Sequence, residues 1–560
     1  MASRLVSARF GLERDGRPPS AGLDRGRRAR WSALLLFGVL AIAHTWPLAT
    51  APARLSRNDN PDTVLNEWAI AWIAHEAPRD PIHLFDANIF YPDHRTLAYS
   101  EPLLVPAAMG APLLWAGASP VLVYNLLVIA GFTLTAWTVW LVITRWTGDP
   151  WSGVLAGSLV AFNAHTLTRL PHLQALHAEF LPLALLALDE LLRAPRISAS
   201  LRLAVWFVLQ ALTSIYSMVF TVVALAAGWL VRPNTWTGPR SRRIIAHVAL
   251  AGALAGLVLG PVLVVYSRVG VVRSLDEIAS LSATWRNYLV TPALLHGWWS
   301  WQMIDTAAGG ALFPGFVALL LASVPVANGT AWREDRPRMA LAFGGAGLAL
   351  SLGPALPGYS TLYHVFPLLQ GIRTAARFGY LALVSVGFLA GFGLSQLRAR
   401  WKTARWLPAA TLAIIAAANV ESCAAPVEYV SAPPVPAPYR SLRNLNHAVV
   451  AEIPFFAPAK VFHNAEYMLN STSDWQPIVN GYSGITPASY IDHYNALGEF
   501  PDGNSIDALR AIGVTHVVVH ERSLADWTDT ERVERVRRVP GLRLIETDGD
   551  VDVYALVQGP

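Results

Sequence analysis

A chain of 560 residues with 53% hydrophobic and only 14% charged residues is far from the roughly 25% charged make-up of a soluble domain, and its apolar residues fall in long runs, so a polytopic membrane protein is expected. The formal net charge of +5 is nearly all Arg, with Lys402 and Lys460 the only lysines, and no basic stripe with interleaved aromatics marks a nucleic-acid surface. Cys423 is the single cysteine, which excludes an intrachain disulfide and a Cys-based metal site.

Residues 1–30 hold eight arginines and three acids and read as a cytoplasmic tail. The apolar run Trp31 to Thr50 follows and is long enough to cross a bilayer, although Ala49-Thr50-Ala51 also mimics a signal-peptide cleavage site. A large loop, 51–120, comes next and opens with Arg57-Asn58-Asp59-Asn60-Pro61-Asp62. Pro61 suits a first helical turn and Asn60 its N-cap, so Asp62 is expected in the first turn of a surface helix running through Trp68 to Ala74. Carboxylates there can act as a general base or hold a divalent cation, or can simply complement the helix dipole. Glu101 opens the proline-bearing stretch 101–118, expected to lie at the outer surface, and is the candidate second carboxylate.

Keeping every Arg-rich loop on the cytoplasmic side gives one threading. Spans are expected near 31–50, 121–144, 151–164, 174–192, 203–215, 217–231, 244–265, 312–328, 339–353, 377–396 and 405–421. That is about eleven transmembrane helices, with the N-terminus inside and the C-terminus outside. Within 203–231 the chain must turn near Ser214-Ile215-Tyr216-Ser217.

Three further outer loops carry polar groups. The loop near 164–173 holds His165, Arg169 and His172, with Gln174 beside it, and suits a sugar or phosphate lining as well as solvation; His-x6-His is not a metal spacing. Loop 266–311 holds Arg273 with Trp285, Trp298, Trp299 and Trp301, either an interfacial belt or a gate for sugar or lipid. Loop 354–376 runs into Arg373 and Arg377, whose (i, i+4) spacing predicts two forks on one helix face at the outer boundary, where they would bind lipid phosphate or else snorkel.

The region 31–423 is thus a membrane domain. Residues 424–438, with Ala432-Pro433-Pro434-Val435-Pro436, read as a stiff linker, and 439–560 as a small extracytoplasmic α/β domain. Within that domain a strand over Val449 to Ile453, a helix from Ser505 to Ile512 stopped by Gly513, a strand Thr515 to Val519 and a hairpin across Asp548-Gly549-Asp550 are expected.

The layout, with a first span, a loop opening with Asp59 and Asp62, a juxtamembrane helix and a C-terminal domain outside, resembles the GT-C superfamily of integral-membrane glycosyltransferases, which includes protein O-mannosyltransferases and aminoarabinose transferases; the stretches Asp62-Thr63-Val64-Leu65-Asn66-Glu67-Trp68, Asn88-Ile89-Phe90-Tyr91-Pro92, Leu170-Pro171-His172-Leu173-Gln174 and Pro477-Ile478-Val479-Asn480-Gly481-Tyr482-Ser483-Gly484 resemble more locally a bacterial GT-C-like group of poorly defined activity. The resemblance covers most of the chain in architecture, but the adjacent Asp-Glu pair of protein mannosyltransferases is not present. It implies sugar transfer, with inversion, from a polyprenyl-phosphate donor to a glycan, lipid or protein acceptor outside the membrane. Asp62, helped by Asp59, is then the catalytic candidate. Arg373, Arg377, Arg273, His172, Gln174, Glu101 and Trp68 are substrate- or phosphate-binding candidates. Asp59, Asp62 and Glu101 are candidate ligands for Mg2+ or Mn2+. The rival readings are a lipid or glycan transporter or flippase, which needs charges or broken helices inside the bilayer, and a non-catalytic scaffold.

Overall fold

The computed structural model describes residues 19–270, 272–306, 310–528 and 530–557, so the first part of the Arg-rich tail lies outside the described residues. Most of the expected apolar segments are helical, and among the described residues three helices, Pro120–Thr147, Ser241–Val269 and Ala375–Arg400, are long and apolar enough to cross a membrane. The chain is a polytopic helical membrane protein. Helix α1 (Pro19–His44) already begins within the stretch assigned to the tail.

Helix α2 (Pro61–Glu76) starts where Asn60 Oδ1 accepts the Asp62 backbone N–H at 2.9 Å, with Pro61 in the first turn. Helix α3 (Leu104–Trp115) packs on α2 and on α4 (Pro120–Thr147), which is capped by Ser119 and ends at Gly148. Helix α5 (Pro150–Ala161), capped by Asp149, packs back on α4. Short helices α6 (Ala164–Leu167) and α7 (Leu173–Leu176) follow, and the expected span 174–192 is broken: its helix α8 (Phe180–Arg193) starts only after His177. Gln210 Nε2 donates to the His177 carbonyl at 3.0 Å and holds the break open. Helices α9 (Ile197–Thr213) and α10 (Ile215–Leu230) form the expected pair turning at Ser214, and α11 (Ser241–Val269) follows. Later helices Phe316–Ala327, Asp335–Ser351, Gly379–Arg400 and Leu407–Ser422 complete the bundle, around a core that includes Leu155, Phe343, Phe378 and Phe388.

The segment 424–438 is not a free linker. Strand β1 (Leu55–Ser56) pairs antiparallel with β2 (Val430–Ser431), which fastens it to the first outer loop. The C-terminal domain holds a four-stranded sheet of β3 (Val450–Ile453), β4 (His516–His520), β5 (Leu542–Asp548) and β6 (Val551–Leu556) in the order β3-β4-β6-β5. β3 and β4 are parallel; β5 and β6 form the expected hairpin.

This domain sits directly on loop 51–120. The backbone N–H groups of Phe90 and Tyr91 donate to the carbonyls of Asn480 and Ile478, each at 3.0 Å, and Ile478 N–H donates to Asn88 O at 2.9 Å. One hydrophobic core runs through both, from Trp68, Phe90 and Tyr124 to Tyr439, Tyr467 and Met468. A side chain at Gly481 would meet the Phe90 ring at 2.8 Å, and one at Gly484 would meet the Tyr99 carbonyl at 2.8 Å. The glycines are what let the 481–484 segment lie against the loop.

Candidate functional site

The N-terminus of α2 presents Asp62. Asn66, one turn on, donates to the Asp62 carbonyl at 2.5 Å and to the Pro171 carbonyl at 3.2 Å, which ties this turn to the 164–174 loop. Both oxygens of the Asp62 carboxylate are engaged. Oδ2 lies 3.1 Å from His172 Nε2, and Oδ1 accepts from the Tyr482 hydroxyl at 2.7 Å. Burial pushes the Asp62 carboxyl up, but the hydrogen bonds from His172 and Tyr482 and the charge of Arg377 outweigh it, so its pKa lies below the ordinary Asp range. Burial lowers the pKa of His172, which makes it a neutral imidazole donating from Nε2.

His172 also lines a narrow cleft, with about 30 Å3 of free volume, together with Glu101, His165, Arg169, Gln174, Tyr216 and Arg377. Burial, reinforced by Arg377, brings the Arg169 pKa to about 9, still cationic at neutral pH. Burial and the two arginines push His165 well down. The cleft therefore carries two guanidinium charges and neutral imidazoles, with the Asp62 carboxylate at its edge. Nδ1 of His165, Nδ1 of His172 and Oε1 of Gln174 are buried and have no hydrogen-bond partner. Such atoms in a polar cleft are suited to a ligand that donates hydrogen bonds.

The remaining predicted residues separate. Arg373 and Arg377 do not share a helix face: Arg373 is exposed at a bend, and only Arg377, in the 3-10 turn Ala375–Phe378, lines the cleft. The Tyr216 hydroxyl causes this by accepting the backbone N–H groups of Arg373 and Thr374 at 3.0 and 3.2 Å. Asp59 turns away, its carboxylate 2.9 Å from Arg57 Nε. Glu101 faces the cleft, but its Oε2 accepts the Ile215 N–H at 2.6 Å and so completes the N-terminus of α10. Arg273 lies outside the cleft; it donates to the Gly484 carbonyl at 3.0 Å and pairs with Glu277 at 3.5 Å. Trp68 is 1% exposed, with its indole N–H on Asn88 Oδ1, and is a core residue.

The candidate cation site does not assemble. Asp59, Asp62 and Glu101 each face different partners, and among the described residues no group of three or more His, Cys, Asp or Glu side chains is placed to hold a metal. No step is derived through Mg2+ or Mn2+.

The sequence offered His165 and Arg169 as a lining for sugar or phosphate but did not single out Tyr482. The His and Arg content of the 164–174 loop carries a signal for the first two. Tyr482 carries none, because it reaches Asp62 from 420 residues away.

No family model and no curated protein matches the sequence. Solved structures do. The chain is similar to the arabinofuranosyltransferase AftD from Mycobacteria, with TM-score 0.57 and 16% identity, over 95% of this chain and 40% of that one. It is also similar to the oligosaccharyltransferase AglB of Archaeoglobus fulgidus, solved with an inhibitory peptide and a dolichol-phosphate, with TM-score 0.53 and 13% identity, over 94% of this chain and 74% of that one. The chain thus spans about two-fifths of the AftD length. With both likenesses extending over nearly the whole chain, it has the fold that these two solved glycosyltransferases share.

Proposed function

We propose that the protein is a membrane glycosyltransferase that moves a sugar from a polyprenyl-phosphate donor to an acceptor hydroxyl at the outer face of the cell membrane. One observation carries the reading: an ionised carboxylate, Asp62, is held by His172 at the edge of a cleft that contains the cations Arg169 and Arg377. A base beside a dianion- or monoanion-binding cleft suits displacement at a sugar carbon that bears a phosphate.

In this reading Arg377 and Arg169 bind the donor phosphate and stabilise the charge that grows on it as the bond breaks. His165, His172 and Gln174 accept hydrogen bonds from the sugar hydroxyls. The acceptor oxygen attacks the anomeric carbon, the bond from that carbon to the phosphate oxygen breaks with its electron pair leaving on polyprenyl phosphate, and the acceptor proton passes to Asp62. A single displacement inverts the anomeric configuration. The leaving group is already a phosphate, so no general acid is required.

The outer-face location follows from the Arg-rich loops between helices, which belong inside. The β1–β2 pairing supports the same side for the first loop and the C-terminal domain. The glycan, lipid or protein nature of the acceptor and the identity of the sugar are open to a direct assay. Full-length protein in nanodiscs is given a panel of polyprenyl-phosphate-linked pentoses and hexoses, and polyprenyl phosphate release is measured. Release from at least one donor is expected; none from any donor would overturn the reading.

A further inference from the structure

Asp62 faces a difficulty as a base. His172 engages one of its oxygens and Tyr482 the other, so an incoming hydroxyl must compete with one of them for its place. His172 sits next to Pro171, whose carbonyl is held by Asn66, and lines the cleft wall. Tyr482 is different. It is half-buried, and it lies between the strand-like 478–480 stretch and the helix Ala488–Leu497, in a segment with no regular secondary structure. Its phenol makes a single hydrogen bond, the one to Asp62. The backbone around it is held independently: Tyr482 N–H by Met468 Sδ at 3.1 Å, and the Gly484 carbonyl by Arg273 at 3.0 Å. The ring can therefore leave without unfolding the segment.

We infer that Tyr482 stands in for the acceptor: its phenol holds the place of the attacking hydroxyl on Asp62 Oδ1, and the acceptor enters by displacing it. This rests on the reading of Asp62 as the base. Three properties of the contact fit. The group present is itself a neutral hydroxyl donor, since burial and the Asp62 charge push the Tyr482 pKa up. Its O–O distance of 2.7 Å is that of a hydroxyl on a carboxylate. It also comes from the C-terminal domain and engages the carboxylate oxygen that His172 does not, so its displacement leaves the His172 contact in place.

The consequence is protection of the donor. With the phenol in place, Tyr482 competes with water for Oδ1, and the competing reaction is slowed. In that reaction water supplies the attacking oxygen, its proton goes to Asp62, the carbon–phosphate oxygen bond breaks, and the products are free sugar and polyprenyl phosphate. The site becomes reactive when a hydroxyl acceptor outcompetes Tyr482, which makes Tyr482 a determinant of acceptor choice.

Two measurements on full-length protein in nanodiscs test this. In the first, without donor, a water-soluble carbodiimide with glycine ethyl ester labels accessible carboxylates, and peptide mass spectrometry reads the extent at Asp62. Several-fold higher labelling in Tyr482→Phe and in Tyr482→Ala is expected; wild-type labelling in both would overturn the inference. In the second, the donor that turns over in the panel is assayed with and without acceptor. Removing a competing hydrogen bond to a charged group should lower the acceptor KM of Tyr482→Phe by about tenfold and raise acceptor-free sugar release by a similar factor. A higher acceptor KM with slower sugar release would make Tyr482 a positioning residue for Asp62 and overturn the inference. If no donor turns over in the wild type, the transferase reading fails, and the carbodiimide result still decides whether Tyr482 shields Asp62.

Discussion

The Arg377 guanidinium carbon lies 4.9 Å over the ring of Tyr216. The same tyrosine holds the backbone of Arg373 and Thr374 through its hydroxyl, so one residue points Arg377 into the cleft and leaves Arg373 outside. Cation–π contact fixes the fork without using its N–H groups, which stay available for phosphate.

The two arginines should therefore behave differently. Hydrogen bonds to charged groups are worth roughly 1.5–3 kcal/mol, so Arg377→Ala should weaken donor affinity by about tenfold to a hundredfold. Arg377→Lys should recover only part, because an ammonium lacks the bidentate fork. Arg373→Ala should stay close to wild type. Donor titrations of the three purified variants check this, and equal losses at both positions would contradict it.

Glu67 gives a pH-dependent stability. Burial raises its pKa to about 8, so at neutral pH it is mostly protonated. The Ser56 hydroxyl, 2.9 Å from Glu67 Oε1, donates to the carboxyl and opposes this rise without cancelling it. A raised carboxyl pKa stabilises the fold fully below its unfolded value, and this stability is lost as pH rises through the folded value. Thermal unfolding of the wild type should weaken from pH 5 to pH 8 by on the order of a few kcal/mol more than Glu67→Gln. Parallel curves for the two proteins would contradict it. Asp62 has the opposite sign: its lowered pKa keeps it ionised, and activity should fall only as pH drops below the ordinary Asp range.

The contact between the domains is equally exposed to test at Gly481. Phe90 is 1% exposed and packs against Tyr99 and Tyr490, so it has little room to yield to a new Cβ at 2.8 Å. Gly481→Ala should destabilise by about 1–3 kcal/mol and reduce turnover by shifting Tyr482. A variant with the wild-type melting temperature would show that the segment does not depend on this close approach.

What the sequence revealed was local. Asn60, Pro61 and Asp62 announce the start of α2, because capping and the fixed proline φ act within three residues. Gly513 and Gly549, at φ of 94° and 65°, mark a helix stop and a hairpin turn in the same way. What it hid was long-range. The (i, i+4) spacing of Arg373 and Arg377 suggested one face, and a tether from Tyr216, 157 residues away, prevents that helix. Glu101 was expected to be a second carboxylate of the site, and its Oε2 instead caps α10 across 114 residues. Asp59 looked like a partner for Asp62, but the nearest cation, Arg57, takes it. Local rules cannot report which distant element packs nearby.

The central claim is that Asp62 is the base of this site and Asp59 is not. The most direct measurement is sugar transfer by Asp62→Asn and Asp59→Asn in nanodiscs, with insertion checked for both. General-base catalysis contributes about a hundredfold to ten-thousandfold, so Asp62→Asn should lose at least about a hundredfold in kcat. Asp59→Asn removes an ion pair whose carboxylate is 44% exposed, and should remain within about twofold of wild type. An active Asp62→Asn protein, or an Asp59→Asn protein that inserts and is inactive, would contradict the account.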